Sequence, residues 1–168
     1  LGRLVAIVRS EQPEMILGYD DHEWYPHPDH LRIHDLSEAV FVAAADPDRF
    51  PDAGEPWEAR RLYAPAFSLR RIRTLGKAMA DRGLESPFDR WITRVDPEAT
   101  DPPLTHVDVS AHLERARSAL RAHRTQIDPD GPWFQIPSDV IRATYPYEDF
   151  ELMASRDDAS PEGTELIV

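Results

Sequence analysis

The chain contains no cysteine, fewer basic than acidic residues and no long apolar run. Without cysteine it can form no disulfide bond and offer no thiolate nucleophile, so any metal must be held by His, Asp or Glu side chains. The formal net charge of −12 disfavours binding to the phosphate backbone of a nucleic acid. The longest apolar run, residues 39–45, is too short to cross a bilayer, and no leader pattern precedes a cleavage site. We therefore expect a cytoplasmic protein that binds neither nucleic acid nor membrane.

The apolar residues that are present, 41% of the 168, are enough to bury the core of one domain. Residues 1–10 carry apolar side chains on one helical face, and Pro13 ends that helix. A short apolar strand at residues 15–19 follows, and then a second helix that ends near Asp46. This succession favours an α/β fold with a parallel sheet. The residues predicted to point inward from the two helices are Leu4, Val5, Val8, Ile33, Leu36, Val40 and Ala43.

Further strands and helices are predicted in the middle of the chain. We expect strands at residues 62–67, 91–95 and 105–109, the first with Pro65 at a sheet edge or a strand end. Ser68 and Ser110 are suitable N-cap residues for two helices, the second of which reaches about residue 127. Gly83 and Leu84 can close the first of these helices in a Schellman turn. The residues expected to face inward from them are Ile72, Leu75, Met79, Leu113, Ala116 and Leu120.

The last part of the chain is rich in aromatic residues and then in acids. A short helix at residues 138–143 and the aromatic residues Tyr145, Tyr147 and Phe150 should pack as an apolar extension. From Arg156 onward the acidic and polar composition predicts a frayed end. We therefore predict one domain over residues 1–155 and a flexible acidic tail over residues 156–168.

The polar loop before the second helix, Tyr25-Pro26-His27-Pro28-Asp29-His30, is the candidate site. It follows a predicted strand, and ligands of open α/β sheets bind at the carboxyl ends of the strands. His27 and His30 are spaced so that they could bind a common metal. The Tyr25 phenol could donate a hydrogen bond to a developing oxyanion.

Neighbouring acids and a third histidine add possible ligands, each with a simpler interpretation. Asp20, Asp21 and Glu23 could supply oxygen ligands, although such acids are more typical of a solvated loop. His34 lies four residues after His30 on the same helical face and could form a second chelate. Because no glutamate follows His30, the His-Glu-x-x-His pattern of zinc proteases is absent, and His34 is better interpreted as a packed helix residue. A capping loop with two half-exposed histidines stands as the alternative to a metal site.

These residues resemble a known family. Gly18-Tyr19-Asp20 together with residues 25–30 is similar to a signature of the zinc-dependent PIG-L/LmbE-like deacetylases. The resemblance covers the chain from Leu1 to about Arg156 and implies a Rossmann-like α/β sandwich. That sandwich would lack its N-terminal strands and carry a C-terminal helical and aromatic extension. The stretches that look like the branch of the family that hydrolyses mycothiol S-conjugates are residues 83–88, 121–128 and 150–152.

The resemblance also implies a role for each loop residue. His30 matches the histidine that binds zinc, and His27 matches the histidine that helps to stabilise the tetrahedral oxyanion. Asp29 matches a carboxylate that supports the zinc site without binding the metal, and Tyr25 matches the tyrosine that closes over it. Spacing alone makes both histidines candidate ligands, whereas the resemblance assigns the metal to His30 only.

One part of the family pattern does not occur in these residues. The His-Pro-Asp-Asp motif, which supplies the remaining His and Asp ligands and the general-base Asp, is absent, and a catalytic zinc normally takes three protein ligands. We therefore expect this chain to be the C-terminal part of a zinc-dependent amide hydrolase. The expected enzyme cleaves mycothiol S-conjugates to a mercapturic acid and glucosaminyl-inositol, a reaction of detoxification. One alternative is a deacetylase of N-acetylglucosaminyl-inositol or another N-acetyl sugar. The other is a non-catalytic remnant, or a half-protein that needs a separate N-terminal segment.

Overall fold

The computed structural model describes residues 1–21 and 27–166, with the backbone alone at residues 132 and 133. The α/β class predicted from the sequence is confirmed, since helices and strands follow one another along the chain. Within the described residues, no helix combines the length and the apolar character needed to span a membrane. Short 3₁₀ turns occupy Pro51–Ala53 and Ser110–His112. The other elements are α1 (Gly2–Glu11), β1 (Met15–Leu17), α2 (Pro28–Ala45), β2 (Arg61–Ala66), α3 (Leu69–Ala80), α4 (Asp89–Ile92), β3 (Thr105–Asp108), α5 (Leu113–Arg121), α6 (Pro132–Gln135), α7 (Ser138–Thr144) and β4 (Tyr147–Ser155).

The four strands form one sheet in the order β1-β2-β4-β3. β1 and β2 run parallel, with Met15 opposite Arg61 and Leu17 opposite Tyr63. A parallel pair needs a long crossover connection, and α2 supplies it. The carboxyl ends of β1 and β2 therefore lie at the same end of the sheet, beside the chain that leads into α2.

The chain divides into two compact units: residues 1–66, 103–106 and 150–168 form the first, and residues 67–102 and 107–149 form the second. The apolar core of the first unit joins its two long helices to the sheet. Val5 of α1 packs with Val40 of α2, and Ile16 of β1 lies against them. Ile16 also contacts a second buried cluster, so one strand residue connects both. The members of that second cluster are Phe41, Ala59 and Leu62.

Arg9 is a buried charged residue on the inward face of α1, with 4% of its surface exposed. Its guanidinium donates hydrogen bonds to backbone carbonyl oxygens only. Because the last carbonyls of a helix lack intrahelical partners, Arg9 satisfies those of α2 and ties the loop after it to α1. This role could not be predicted from the sequence, since an arginine interrupts an apolar face. The carbonyls that accept from Arg9 belong to Ala43, Ala44, Asp46, Arg49, Phe50 and Gly54.

The second unit contains a separate core in which α3 packs with α7. Both predicted caps of α3 are confirmed. The Ser68 hydroxyl oxygen accepts a hydrogen bond from the Arg71 N–H at 3.1 Å. At the other end Gly83 has a positive φ of 69°, and the Leu84 N–H donates to the Met79 carbonyl at 3.0 Å, as a Schellman turn requires. The buried residues of this core are Leu75, Ala78, Met79, Ile136, Val140 and Tyr145.

Three buried polar side chains meet beside the N-terminus of α3. The Asp149 carboxylate, 1% exposed, accepts hydrogen bonds from the Ser68 hydroxyl and from the Tyr145 hydroxyl, the latter at 3.0 and 3.1 Å to its two oxygens. Burial raises the pKa of Tyr145 to about 12. The phenol therefore stays protonated and keeps donating to Asp149 well above neutral pH.

Two element predictions in the second unit were wrong. Residues 91–95 form no strand, because the Asp89 carboxylate accepts from the Ser86 N–H at 3.2 Å and the Ser86 hydroxyl oxygen accepts from the Phe88 N–H at 3.2 Å. The helical turn α4 follows these two bonds instead, with Phe88 at its N-cap position. Ser110 does not cap a helix, since its N–H donates to the Asp108 carboxylate at 2.8 Å within a 3₁₀ turn. The following helix, α5, ends at Arg121 and not near residue 127.

Other differences concern burial and sheet position. Leu4, Ile33 and Ala116 were predicted to point inward and are exposed. In α1 the buried stripe runs one position away, through Val5; the buried part of α2 begins only at Ser37; and α5 buries Leu113 but not the next turn. Pro65 lies near the end of β2, as expected, but β2 is an inner strand of the sheet. The aromatic segment expected as an apolar extension contains the nine-residue strand β4, which the sequence analysis did not predict.

The acidic segment after β4 contacts the start of β2. The Asp157 carboxylate accepts hydrogen bonds from Arg60 at 2.8 Å and from Arg61 at 3.2 and 3.3 Å. A hydrogen bond from the Ser155 hydroxyl, together with those from Arg61 and Arg60, holds the pKa of Asp157 well below its usual range. These contacts attach Asp157 to the start of β2. The flexibility of residues 156–168 as a whole stays a prediction.

Replacement of Arg9 tests the role of its buried guanidinium. Arg9→Met keeps an apolar stem of similar length but removes the guanidinium donors to six carbonyls, of which Ala44, Asp46 and Phe50 keep a backbone donor. The loss of these bonds costs on the order of 3 kcal/mol in the free energy of unfolding. Urea-induced unfolding measures the loss. Arg3→Met is the matched control, because Arg3 is an exposed arginine of the same helix. Equal stabilities of the two variants would contradict the assignment.

The raised pKa of Tyr145 leads us to expect a lower free energy of unfolding at alkaline pH. Because its pKa is higher in the folded chain than its ordinary value of 10.0, the folded state holds the phenol proton more tightly. The contribution is complete below about pH 10 and is lost as the pH rises toward 12, by up to about 3 kcal/mol. We expect the difference in unfolding free energy between the wild type and Tyr145→Phe to shrink over this range. A difference that does not change with pH would exclude this effect.

Candidate functional site

The candidate site lies where β1 ends and α2 begins. The Gly18 N–H donates to the Tyr63 carbonyl at 2.8 Å and so extends the pairing of β1 with β2 by one residue. A Cβ atom at Gly18 would lie 2.5 Å from the Ser37 hydroxyl oxygen. Only glycine allows α2 to approach the end of β1 this closely. The contact brings the first turns of α2 next to residues 18–20.

His27 is the N-cap of α2. Its Nδ1 atom accepts a hydrogen bond from the Asp29 N–H at 3.1 Å, and Pro28 occupies the first turn, where its missing N–H costs nothing. An acceptor at Nδ1 places the proton of the neutral ring on Nε2. The His27 side chain is 45% exposed.

His30 lies one turn further along α2, close to His27. The centroids of the two imidazole rings are 5.3 Å apart. The ring of Tyr19 also packs against His30, with ring centroids 4.4 Å apart. The Nδ1 atom of His30 and the Oδ1 atom of Asp20 are both buried from solvent. The sequence-predicted histidines are therefore brought together at the carboxyl end of β1.

His34 lies one further turn into α2 and contacts the backbone of the strand end. Its Nδ1 atom is 2.9 Å from the Tyr19 carbonyl oxygen, and its Nε2 atom is 3.9 Å from Glu38 Oε1. These contacts agree with the interpretation of His34 as a packed helix residue. Sequence reasoning missed the contacts of Tyr19, which it named only within the family signature. The available signal was an aromatic residue at the end of the predicted strand.

The remaining predicted residues are less well placed for a role in chemistry or fall outside the description. Asp29 has a side chain that is 86% exposed, with its Oδ2 atom 4.0 Å from His27 Nδ1. Tyr25 and Glu23 lie outside the described residues. The roles predicted for His27, Asp29, Tyr25 and His30 stay predictions.

The donors can be compared with what a metal requires. In the part of the chain that the structure describes, no three or more His, Asp or Glu side chains are grouped so that they could hold a metal ion. A catalytic zinc takes three protein ligands. The described residues therefore do not form a complete zinc site, although His30 is a chemically suitable single ligand.

A cavity of about 270 Å³ lies elsewhere in the first unit. Arg61 and Tyr63 of β2 line it, together with residues between 160 and 165. None of the candidate histidines borders it. The chemistry-bearing residues and this cavity are thus separate features.

The chain is similar to curated proteins of bacterial origin. Over 159 residues it is 38% identical to the mycothiol S-conjugate amidase of Streptomyces coelicolor. The matched region covers 92% of this chain and 54% of that protein. It is 37% identical over 155 residues to the 1D-myo-inositol 2-acetamido-2-deoxy-alpha-D-glucopyranoside deacetylase of Thermobispora bispora, covering 90% of this chain and 50% of the relative. The deacetylase of the same name from Nocardioides sp. is 32% identical over 157 residues, with 89% and 51% covered.

The match has two limits. No family model matches the chain. The chain spans about half the length of the curated relatives it matches. The relatives nevertheless match about nine tenths of this chain at 32–38% identity, and so the chain belongs to the PIG-L/LmbE-like family of amidases and deacetylases.

Proposed function

We propose that this chain contributes part of the active site of a zinc-dependent hydrolase that cleaves the amide bond of mycothiol S-conjugates. The observation that carries the proposal is the pair of imidazole rings, 5.3 Å apart, at the first turn of α2. The pair lies at the carboxyl end of a parallel strand, the usual position of ligands in α/β folds. The similarity to an amidase of this name, at 38% identity, supports the choice of substrate class.

His30 is proposed as the zinc ligand that this chain supplies. Its ring lies 4.4 Å from the Tyr19 ring and 5.3 Å from the His27 ring, between centroids. When bound, zinc supplies Lewis acidity toward a carbonyl oxygen and lowers the pKa of a water molecule. The other ligands and a general base would come from residues beyond the described ones.

His27 is proposed to stabilise the negative charge that develops on the amide oxygen. Since its Nδ1 atom accepts from the Asp29 N–H, the neutral ring carries its proton on Nε2, the nitrogen proposed to donate to that oxygen. The ring also lies at the N-terminus of an 18-residue helix, whose dipole favours nearby negative charge. The Tyr25 hydroxyl is proposed as a second donor to the same oxygen. Asp29 is proposed to support His27 through the N–H that fixes its ring.

A second candidate is deacetylation of an N-acetylglucosaminyl-inositol. The relatives from Thermobispora bispora and Nocardioides sp. carry the name of such a deacetylase. Both reactions hydrolyse an amide, so the residues of α2 would have the same roles in each. The two candidates differ in the acyl group, which is a small acetyl in one and an S-substituted N-acetylcysteine in the other.

A third candidate is a non-catalytic half-protein that requires a separate N-terminal segment. The incomplete set of metal donors among the described residues favours it over independent activity of this chain. Once the N-terminal segment is supplied, such a half-protein could act on either of the two substrates.

Zinc analysis of the purified chain tests the metal proposal. We expect the 168-residue chain alone to retain less than one equivalent after dialysis, because its described residues offer no complete ligand set. His30→Ala should weaken the residual affinity by on the order of tenfold or more. His123→Ala, which removes an exposed histidine of the second unit, should have no effect. One tightly held zinc that is lost in His30→Ala would mean that the chain completes the site by itself, with Asp20, Asp21 or His34 as further ligands.

Hydrolysis assays separate the candidate functions. The chain should be tested alone and with an added N-terminal segment of the relatives' type, on a mycothiol S-conjugate and on N-acetylglucosaminyl-inositol. Faster release of glucosaminyl-inositol from the S-conjugate supports the amidase, and the reverse preference supports the deacetylase. Activity that appears only with the added segment supports the half-protein. Absence of hydrolysis in every combination would contradict both enzymes.

His27→Ala tests the oxyanion role in whichever combination is active. Loss of one donor to a developing oxyanion lowers kcat by about 10²- to 10³-fold, with little change in KM. Steady-state kinetics with the preferred substrate measures both constants. A normal kcat in the variant would exclude His27 from this role.

A further inference from the structure

Tyr19 connects the two histidines of α2, His30 and His34. Its ring lies against that of His30, with centroids 4.4 Å apart and ring planes inclined by 33°. Its carbonyl oxygen is 2.9 Å from His34 Nδ1. Through its ring and its backbone, one residue therefore contacts histidines that lie one helical turn apart.

The backbone that leads to Tyr19 is already fixed. The Gly18 N–H is paired with the Tyr63 carbonyl of β2 at 2.8 Å, and the Gly18 Cα lies against Ser37 of α2. At the next residue, the backbone is attached to α2 again by the hydrogen bond between His34 Nδ1 and the Tyr19 carbonyl oxygen. The position of the Tyr19 ring therefore depends on Gly18 from one side and on His34 from the other.

The chemistry of this hydrogen bond determines where the proton of His34 is. A carbonyl oxygen can only accept, so Nδ1 of His34 carries a proton and donates it to Tyr19. The ring has 17% of its side-chain surface exposed, and Glu38 lies beside its Nε2 atom at 3.9 Å. His34 is thus held as a donor to the strand end and not directed toward His30.

We propose that Tyr19 and His34 are positioning residues for His30. An imidazole that nothing contacts can turn about its Cβ–Cγ bond and present either nitrogen, because this terminal torsion is broad. The Tyr19 ring limits that rotation, and His34 keeps Tyr19 in place. A ligand histidine held in one orientation binds a metal with less loss of freedom, so the pair would raise the affinity of the site. The inference rests on the proposed function for the role of His30 as a ligand, whereas the ring contact stands independently of it.

Side-chain NMR of the histidines in the metal-free chain provides the first test. In the wild type the ring protons of His30 should show a ring-current shift from Tyr19. His34→Ala is expected to reduce that shift toward the value of an unpacked histidine, because Tyr19 loses its backbone anchor. His34→Asn should restore it, since an Asn side-chain N–H can replace the Nδ1 donor. His123→Ala, at an exposed position of the second unit, is the matched control and should leave the His30 signals unchanged.

Substitution of Tyr19 itself provides a second route to the same answer. Tyr19→Phe keeps the ring and should preserve the His30 shift, whereas Tyr19→Leu keeps an apolar side chain but removes the ring and should abolish it. In parallel, we expect zinc titration to show about tenfold weaker binding for His34→Ala and Tyr19→Leu, and wild-type binding for Tyr19→Phe. Amide signals of α1 and of the second unit verify that each variant is folded.

The outcomes distinguish this inference from the proposed function. Unchanged His30 signals in folded His34→Ala and Tyr19→Leu would overturn the positioning role, whatever the zinc result. If the wild-type chain and its assembled form bind no zinc, the metal part of the proposed function fails, and the NMR comparison still decides whether Tyr19 and His34 hold His30.

Discussion

The close contact between the end of β1 and α2 is the constraint on which the candidate site depends. It exists because Gly18 has no side chain, so that Ser37 can lie where a Cβ atom would be. α2 is held again at its other end by the Arg9 guanidinium, which donates to the carbonyls of Ala43 and Ala44. A helix fixed at two places keeps its N-terminal residues in a constant position relative to the sheet. That position is where the imidazoles of His27 and His30 come together.

The features that could be predicted from the sequence are those that local chemistry decides. Ser68 as an N-cap, Gly83 in a Schellman turn and the helix that starts at Pro28 each depend on residues within one turn of each other. The α/β class followed from the order of apolar segments. The location of the candidate loop was also predictable, because it lies between a strand and a helix start.

The features that could not be predicted depend on residues far apart in the chain. Arg9 is buried because six carbonyls from a segment more than thirty residues away surround it. β4 is a strand because it pairs inside a sheet, although its acidic and aromatic composition shows no clear alternation. The contact of His34 with Tyr19 spans 15 residues and has no periodicity that could indicate it. The sequence thus indicated a candidate loop, whose site roles stay predictions, while the contacts that would orient its side chains could not be predicted.

The ion pairs of Asp157 affect where the chain can be shortened. Composition alone places a domain boundary at residue 155, and a polypeptide trimmed there would lose the carboxylate that Arg60 and Arg61 share. Two guanidinium groups would then lie next to each other at the start of β2 without that neutralising partner, and they would repel each other. Expression of this protein as a compact fragment is therefore better ended beyond Leu166, whose carbonyl oxygen also accepts from Arg61 at 3.1 Å.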